Sequence, residues 1–338
     1  MKKKIALLTG GYSGEYVVSL KSASTVLENI DKEKYEVYKI IINKTNWYYE
    51  DEIKHEINRN DFSLALATET ICFDAIFLCL HGSPGEDGKL QGYFDMLNIP
   101  YTGCGQLTSA LTMNKAYTKA IVAGIEDLHI AKSVQLFDNN ELAFGKLTHL
   151  KLPLFIKPNN GGSSIGMSKV KGYENLKDAL DRAFAEDTQI LVEEFITGRE
   201  FSVGAYTEGE NVMVLPATEI TTENDFFDFE AKYEGKAIEI TPGRMTESET
   251  NKVESIVKSI YEKLNCKGIV RIDYFLEHKT GNFFFIEINT IPGQTAQSFI
   301  PQQVKAAGIF LRDIYTTLIE EAIHTRRLSL TNNTEDNG

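Results

Sequence analysis

Arg271-Ile272-Asp273 opens one apolar run, Glu277-His278-Lys279-Thr280-Gly281-Asn282 follows as a turn-like break, and Phe283-Phe284-Phe285-Ile286-Glu287-Ile288-Asn289 forms a second run. Side chains alternate across a strand, so Arg271 and Asp273 share one face of the first run, and Glu287 and Asn289 share one face of the second. If the runs pair antiparallel about the turn, Asp273, Glu287 and Asn289 come together beside Arg271. Two carboxylates and an amide are hard oxygen ligands, suited to Mg2+ bridging nucleotide phosphates, and Arg271 could stabilise a developing anion. The alternative is a hairpin whose charges face water. The apolar setting argues for the metal site, since carboxylates among Phe and Ile are costly unless paired or metal-bound.

The rest of the chain sets limits on this reading. At 338 residues it has room for two or three domains, and with 42% hydrophobic and 25% charged residues its composition is that of a globular protein. A net charge of -13 argues against a nucleic-acid partner. Cys72, Cys79, Cys104 and Cys266 form no CxxC pair, and three of them lie in apolar surroundings, which points to buried reduced thiols and a cytoplasmic protein. The run Ile5-Ala6-Leu7-Leu8 after the basic N-terminus breaks at Thr9-Gly10-Gly11, too short for a signal peptide or membrane span, so no membrane partner is expected. It reads as a first buried strand.

Outward from the hairpin, the spacing predicts a β-α-β start: a strand at 5–8, the loop Gly10-Gly11-Tyr12-Ser13-Gly14, a helix at 15–29 and a strand at 35–42. A strand at 75–80 leads into His81-Gly82-Ser83-Pro84-Gly85-Glu86-Asp87-Gly88, a helix at 90–96 and a strand-like 100–103, all in a parallel, Rossmann-like domain over residues 1–103. A central unit at 104–188 would carry a helix at 109–123 and the strand 154–157. A mostly antiparallel unit at 189–328 would end in two helices, with a disordered polar tail at 329–338. The polar, aromatic stretch 221–243 reads as a mobile lid.

Phe155-Ile156-Lys157-Pro158-Asn159-Asn160-Gly161-Gly162-Ser163-Ser164 delivers a lysine and then a loop of backbone NH groups, with hydroxyl donors. The lysine precedes the glycines and no GK[ST] follows, so this is not a Walker loop. Alone it could be a plain connection. Combined with Leu191-Val192-Glu193-Glu194-Phe195-Ile196, Gly198-Arg199-Glu200 and the later Asp273, Glu287 and Asn289, it resembles the ATP-grasp superfamily. Leu80-His81-Gly82, Gly85-Glu86-Asp87-Gly88, Gly162-Ser163-Ser164, Glu230-Ala231-Lys232-Tyr233, Arg271-Ile272-Asp273 and Glu287-Ile288-Asn289-Thr290 look like the D-alanine:D-alanine ligase family, from about Ile5 to about Glu321.

The resemblance implies a three-domain α/β and α+β ligase holding ATP between its central and C-terminal domains. It would join two D-alanines through a D-alanyl phosphate for peptidoglycan precursor synthesis. By likeness, Lys115, Lys157 and Lys232 meet phosphates, with Ser164 in the phosphate loop. The backbone of Glu193, Glu194, Phe195 and Ile196 meets adenine, and Glu200 holds ribose. Asp273, Glu287 and Asn289 would hold two Mg2+, with Mn2+ as a substitute. Glu15 would take the ammonium of the first D-alanine, Ser163 and Tyr233 would hydrogen-bond with Glu15 and help close the site, and His81 would lie beside that D-alanine. Glu15 read alone is an acid at a helix N-terminus, and His81 a hydrogen-bonded strand-end histidine. Arg271 and the NH of Gly293 would form the oxyanion site, and Ser298 would take the second carboxylate. Tyr233 favours an amine acceptor. Phe195, Phe299 and Gly161 depart from the commonest family pattern. A homodimer is implied; a D-lactate or D-serine ligase and a non-catalytic nucleotide-binding regulator are the competing readings.

Overall fold

The structure is a computed structural model that describes residues 1–162, 165–222 and 237–335. Lys3–Gly10 is apolar from Ile5 to Leu8 because it lies between two parallel neighbours, Tyr35–Ile42 and Ala75–Leu78. Beyond Tyr35–Ile42 the same sheet turns antiparallel, through Trp47–Glu50, Lys54–Asn58, Ser63–Ala65 and Thr70–Ile71. The parallel sheet expected for this region is therefore confined to Lys3–Gly10 and its two neighbours, Tyr35–Ile42 and Ala75–Leu78. The links after Ile42 are too short for a crossover and leave hairpin pairing as the alternative. The stretch 100–103 contributes a bridge, Tyr101 to Ile76, rather than a strand.

The helix expected at 109–123 is two helices, Gln106–Met113 and Lys115–Val122. Asn114 between them is extended, and its side chain accepts from Tyr117 N to cap the second helix. It also bridges to Asn160, so the break sets Lys115 against the glycine-rich loop.

A second, antiparallel sheet runs Ser168–Val170, Leu154–Pro158, Ile190–Glu194, Ser133–Leu136. By sheet membership Ile190–Glu194 thus lies with the central unit, beyond the boundary expected after residue 188. A third sheet is built on Gly198–Glu208, Val270–Glu277 and Phe283–Asn289, with Thr218–Thr222 and Ala237–Ile240 at one edge and Leu128–His129 at the other. Of the lid expected at 221–243, residues 223–236 lie outside the described residues, and the strands on either side of them, Thr218–Thr222 and Ala237–Ile240, pair antiparallel.

One core joins Ile5, Leu7 and Phe77 of the first sheet to Ile300, Val304, Ile314 and Tyr315 near the C-terminus. Leu154, Ile156, Leu180 and Ile190 form a core of their own, so the second sheet stands against the third as a separate body with a cleft between. The last helix, Leu311–Glu335, runs through most of the stretch expected to be disordered, since no Gly or Pro interrupts the chain between Gly308 and Gly338. Cys79, Cys104 and Cys266 are buried and Cys72 is exposed, all as free thiols. Among the described residues no helix is long and apolar enough to cross a membrane.

Candidate active site

The hairpin reading holds in register: Asp273 faces Glu287 and Arg271 faces Asn289 across the antiparallel pair Val270–Glu277 and Phe283–Asn289. Asp273 is buried and accepts from Ser202 Oγ at 2.6 Å, while Asn289 Nδ2 lies 3.4 Å from its Oδ2. Burial alone would work against the charge on Arg271, but Asp273 and Glu287 hold it firmly cationic. Its guanidinium sits 5.5 Å from the centre of the Phe299 ring.

Facing the hairpin is a buried cluster of lysines. Lys115, in the first turn of its helix, reaches Gly161 O and lies 3.4 Å from Glu287. Lys157, on the strand leading into the glycine loop, lies 2.6 Å from Glu193, and Lys119 holds the other oxygen of the same carboxylate at 2.5 Å. The cluster carries one more positive charge than negative. Burial pushes the Glu193 carboxyl up, but the two cations more than reverse this and hold it at about 2. Burial, with Lys157 nearby, lowers Lys119 to about 8 against the pull of Glu193. Lys119 also donates to Phe285 O at 3.2 Å, tying the second sheet to the third beneath the cleft. Sequence reading passed over Lys119, although its spacing from Lys115 puts both on one helix face.

The glycine loops meet on the other side. Glu15 caps the first helix by position, but its side chain makes no capping hydrogen bond; it lies between Gly82 and Gly162, where a Cβ on either would come within 3.4 Å of its carboxylate. His81 is buried with both ring nitrogens engaged, Nδ1 at 2.8 Å from Ile291 O and Nε2 at 2.9 Å from Ser22 Oγ. A carbonyl can only accept, so Nδ1 carries the proton and Nε2 accepts from Ser22. Burial lowers the histidine pKa and keeps the ring neutral. His81 therefore anchors the loop that follows Thr290, as a hydrogen-bonded histidine at a strand end would, while bordering the larger cavity. Glu86, also unanticipated, accepts from the amides of Gly82 at 2.7 Å and Ile291 at 3.2 Å. Burial and then Glu15 push it up to about 8.

Gly293 packs so closely on Ser298 that a Cβ would stand 2.7 Å from the hydroxyl. Ser298 Oγ accepts from Thr295 N at 3.1 Å. Glu194 turns outward to Lys151 N at 3.0 Å. The Phe195 ring lies 6.3 Å from Phe155, with Lys169 Nζ 3.7 Å from its centre.

These groups line two adjoining cavities. The larger, about 320 Å³, is bordered by Glu15, His81, Lys115, Asn289, Gly293 and Ser298. The smaller, more apolar one is bordered by Lys157, Glu193, Glu194, Phe195, Ile196, Glu200 and Asp273. Arg271, Glu287 and Phe299 border both. Ser163, Ser164, Lys232 and Tyr233 lie outside the described residues.

The donor set suits a hard divalent cation: two carboxylates and an amide, converging beside Lys115. Among the described residues no group of three His, Cys, Asp or Glu side chains is placed to hold a metal, so the set described here is two carboxylates and an amide. The smaller cavity, lined by aromatic rings together with Lys119 and Lys157, suits a nucleotide base and its phosphates.

Two sheets closing on a lysine-lined cleft define the class: an ATP-grasp ligase fold. Residues 4–104 match the D-ala D-ala ligase N-terminus and residues 128–320 the D-ala D-ala ligase C-terminus. A D-alanine–D-alanine ligase of Bacteroides fragilis is 42% identical over 326 residues, covering 95% of this chain and 99% of that protein. Among solved structures, the VanG D-Ala:D-Ser ligase of Enterococcus faecalis superposes with a TM-score of 0.83 at 33% identity, covering 96% of this chain and 99% of that one. A D-alanine–D-alanine ligase of Bacillus anthracis complexed with ATP gives 0.76 at 27% identity, covering 96% and 99%. The chain belongs to the D-alanine–D-alanine ligase family.

Proposed function

We propose that the protein joins two molecules of D-alanine at the expense of ATP, giving D-alanyl-D-alanine, ADP and phosphate through a D-alanyl phosphate. The observation that carries this reading is the shared wall of the two cavities, Arg271 and Glu287. A nucleotide in one cavity and amino acids in the other would meet there, beside a fixed cation.

In this reading Lys115 and Lys157 receive the phosphates of ATP, while the Glu193 to Ile196 backbone meets adenine and Glu200 the ribose. Lys157 leaves Glu193 to do so, and Lys119 keeps that buried carboxylate paired. Asp273, Glu287 and Asn289 would hold Mg2+, whose contribution is to neutralise phosphate charge. Glu15 takes the ammonium of the first D-alanine. Arg271 and the Gly293 amide stabilise the oxyanion formed as the acceptor amine attacks, and Ser298 takes the acceptor carboxylate. Ser163, Ser164, Lys232 and Tyr233 are assigned by family likeness alone. A cytoplasmic homodimer working in peptidoglycan precursor synthesis belongs to the same reading.

The likeness to a D-Ala:D-Ser ligase favours D-serine as a second acceptor. Purified protein with Mg2+, ATP and D-alanine is expected to release ADP and D-alanyl-D-alanine. Phosphate release compared across D-alanine, D-serine and D-lactate ranks the acceptors, and tight ATP binding without any dipeptide would refute the proposal.

A further inference from the structure

The larger cavity is bordered by four carboxylates, Glu15, Glu86, Glu239 and Glu287. Three of them already have a place: Glu15 stands between the glycine loops, Glu86 is taken up by backbone amides, and Glu287 faces Lys115. Glu239 is different. It lies on the strand Ala237–Ile240, opposite Ile220, and is half-buried. Its hydrogen bond comes from a neutral amide, Gln302 Nε2, at 2.7 Å. Arg271, which borders the same cavity, acts on it at longer range. Burial pushes the Glu239 carboxyl up from the usual range, with Gln302 and Arg271 pulling the other way. A carboxylate withdrawn from water and held by an amide is a group that a bound cation would complete.

Its place in the cavity identifies which cation. Gln302 also donates to Gln297 O at 2.8 Å, and its backbone NH lies 3.3 Å from Ser298 O. Glu239 is thereby tied to the helical turn that starts at Ser298, the residue whose hydroxyl is assigned to the acceptor. An acceptor amino acid enters with an ammonium, whereas a hydroxy acid of the same shape has a neutral hydroxyl there. We infer that Glu239, positioned by Gln302, binds the ammonium of the second amino acid and so selects an amine acceptor over a hydroxy acid. This rests on the ligase reading above. An ammonium gains a charge-assisted hydrogen bond from the carboxylate, and a hydroxyl gains a weaker one while leaving the buried charge uncompensated.

Glu239→Gln separates charge from shape, because glutamine can still accept from Gln302. In the full chain with Mg2+ and ATP, its half-saturating concentration for the second D-alanine should rise about 10- to 100-fold. Phosphate release with D-lactate relative to D-alanine should rise with it. The constants for ATP and the first D-alanine, taken from D-alanine-dependent exchange of label between ADP and ATP, should stay as in the parent protein. Glu239→Asp should recover part of the loss, and Gln302→Leu should reproduce a smaller loss confined to the same constant. An equal rise in every constant, or an unchanged second constant and acceptor ratio, overturns the inference. If the parent protein makes no dipeptide, the ligase reading fails first; a parent that makes it and a Glu239→Gln protein that matches it sink the Glu239 assignment alone.

Discussion

Arg271 and Asp273, two positions apart on one strand face, are joined by a two-point ion pair, Nε to Oδ1 at 3.0 Å and Nη2 to Oδ2 at 2.8 Å. With Ser202 also donating to Oδ1, a cation binding Asp273 must share its oxygens with a guanidinium. Asp273→Asn keeps an acceptor for Ser202 but removes the charge that both cations need. Dipeptide formation is expected to fall about 10²- to 10³-fold, comparable to losing one preorganised electrostatic contact, with saturation moved to higher Mg2+. ADP release followed across a Mg2+ titration measures both; full rate at the parent's Mg2+ level would refute the metal assignment.

Chelating divalent metal should stop ADP release, and Mg2+ or Mn2+ should restore it. Glu287→Gln should leave that rescue incomplete at any metal concentration, because it removes charge from the wall common to both cavities. Its ATP binding, read by calorimetry without metal, should change little.

Glu193 lies below its ordinary carboxyl value of 4.5, at about 2, so its stabilisation is present above about pH 4.5 and is lost as pH falls through about 2. A shift of that size is on the order of 3 kcal/mol. Glu193→Gln strands two lysines and should cost about 3–5 kcal/mol at pH 7. The gap between parent and variant in urea unfolding should stay level from pH 7 to 5 and shrink by pH 3. A gap that ignores pH would mean the loss is one of shape and not of charge.

Gly85 admits no side chain: a Cβ would stand 2.1 Å from Leu80 O and 2.9 Å from Leu80 Cδ2. Gly85→Ala should lower thermal stability by about 2 kcal/mol or more and displace Glu86, loosening its bonds to Gly82 and Ile291. Gly145→Ala, in open space on a helix, should be neutral or stabilising by up to about 1 kcal/mol. Matching melting curves for the two variants would contradict the close-approach argument.

The hairpin was legible because its information is local. Period-two alternation set the faces of Arg271, Asp273, Glu287 and Asn289, and the polar turn set the pairing that the coordinates show. The same held for the strands expected at 35–42 and 154–157, found as Tyr35–Ile42 and Leu154–Pro158, whose apolar runs report burial directly. The break at Asn114 was missed because helix periodicity continues across it; the cap and the bridge to Asn160 are tertiary events.

What the chain alone settled was therefore the type of site, a set of hard oxygen ligands beside a lysine-led glycine loop, because those residues lie on single strands and turns. Folding decided which charges are neighbours. Lys119 meets Glu193 from 74 positions away, Glu239 meets Gln302 across 63, and His81 spends both nitrogens on Ser22 and Ile291. Such pairings depend on how separate sheets and helices pack, and no periodicity along the backbone carries that distance.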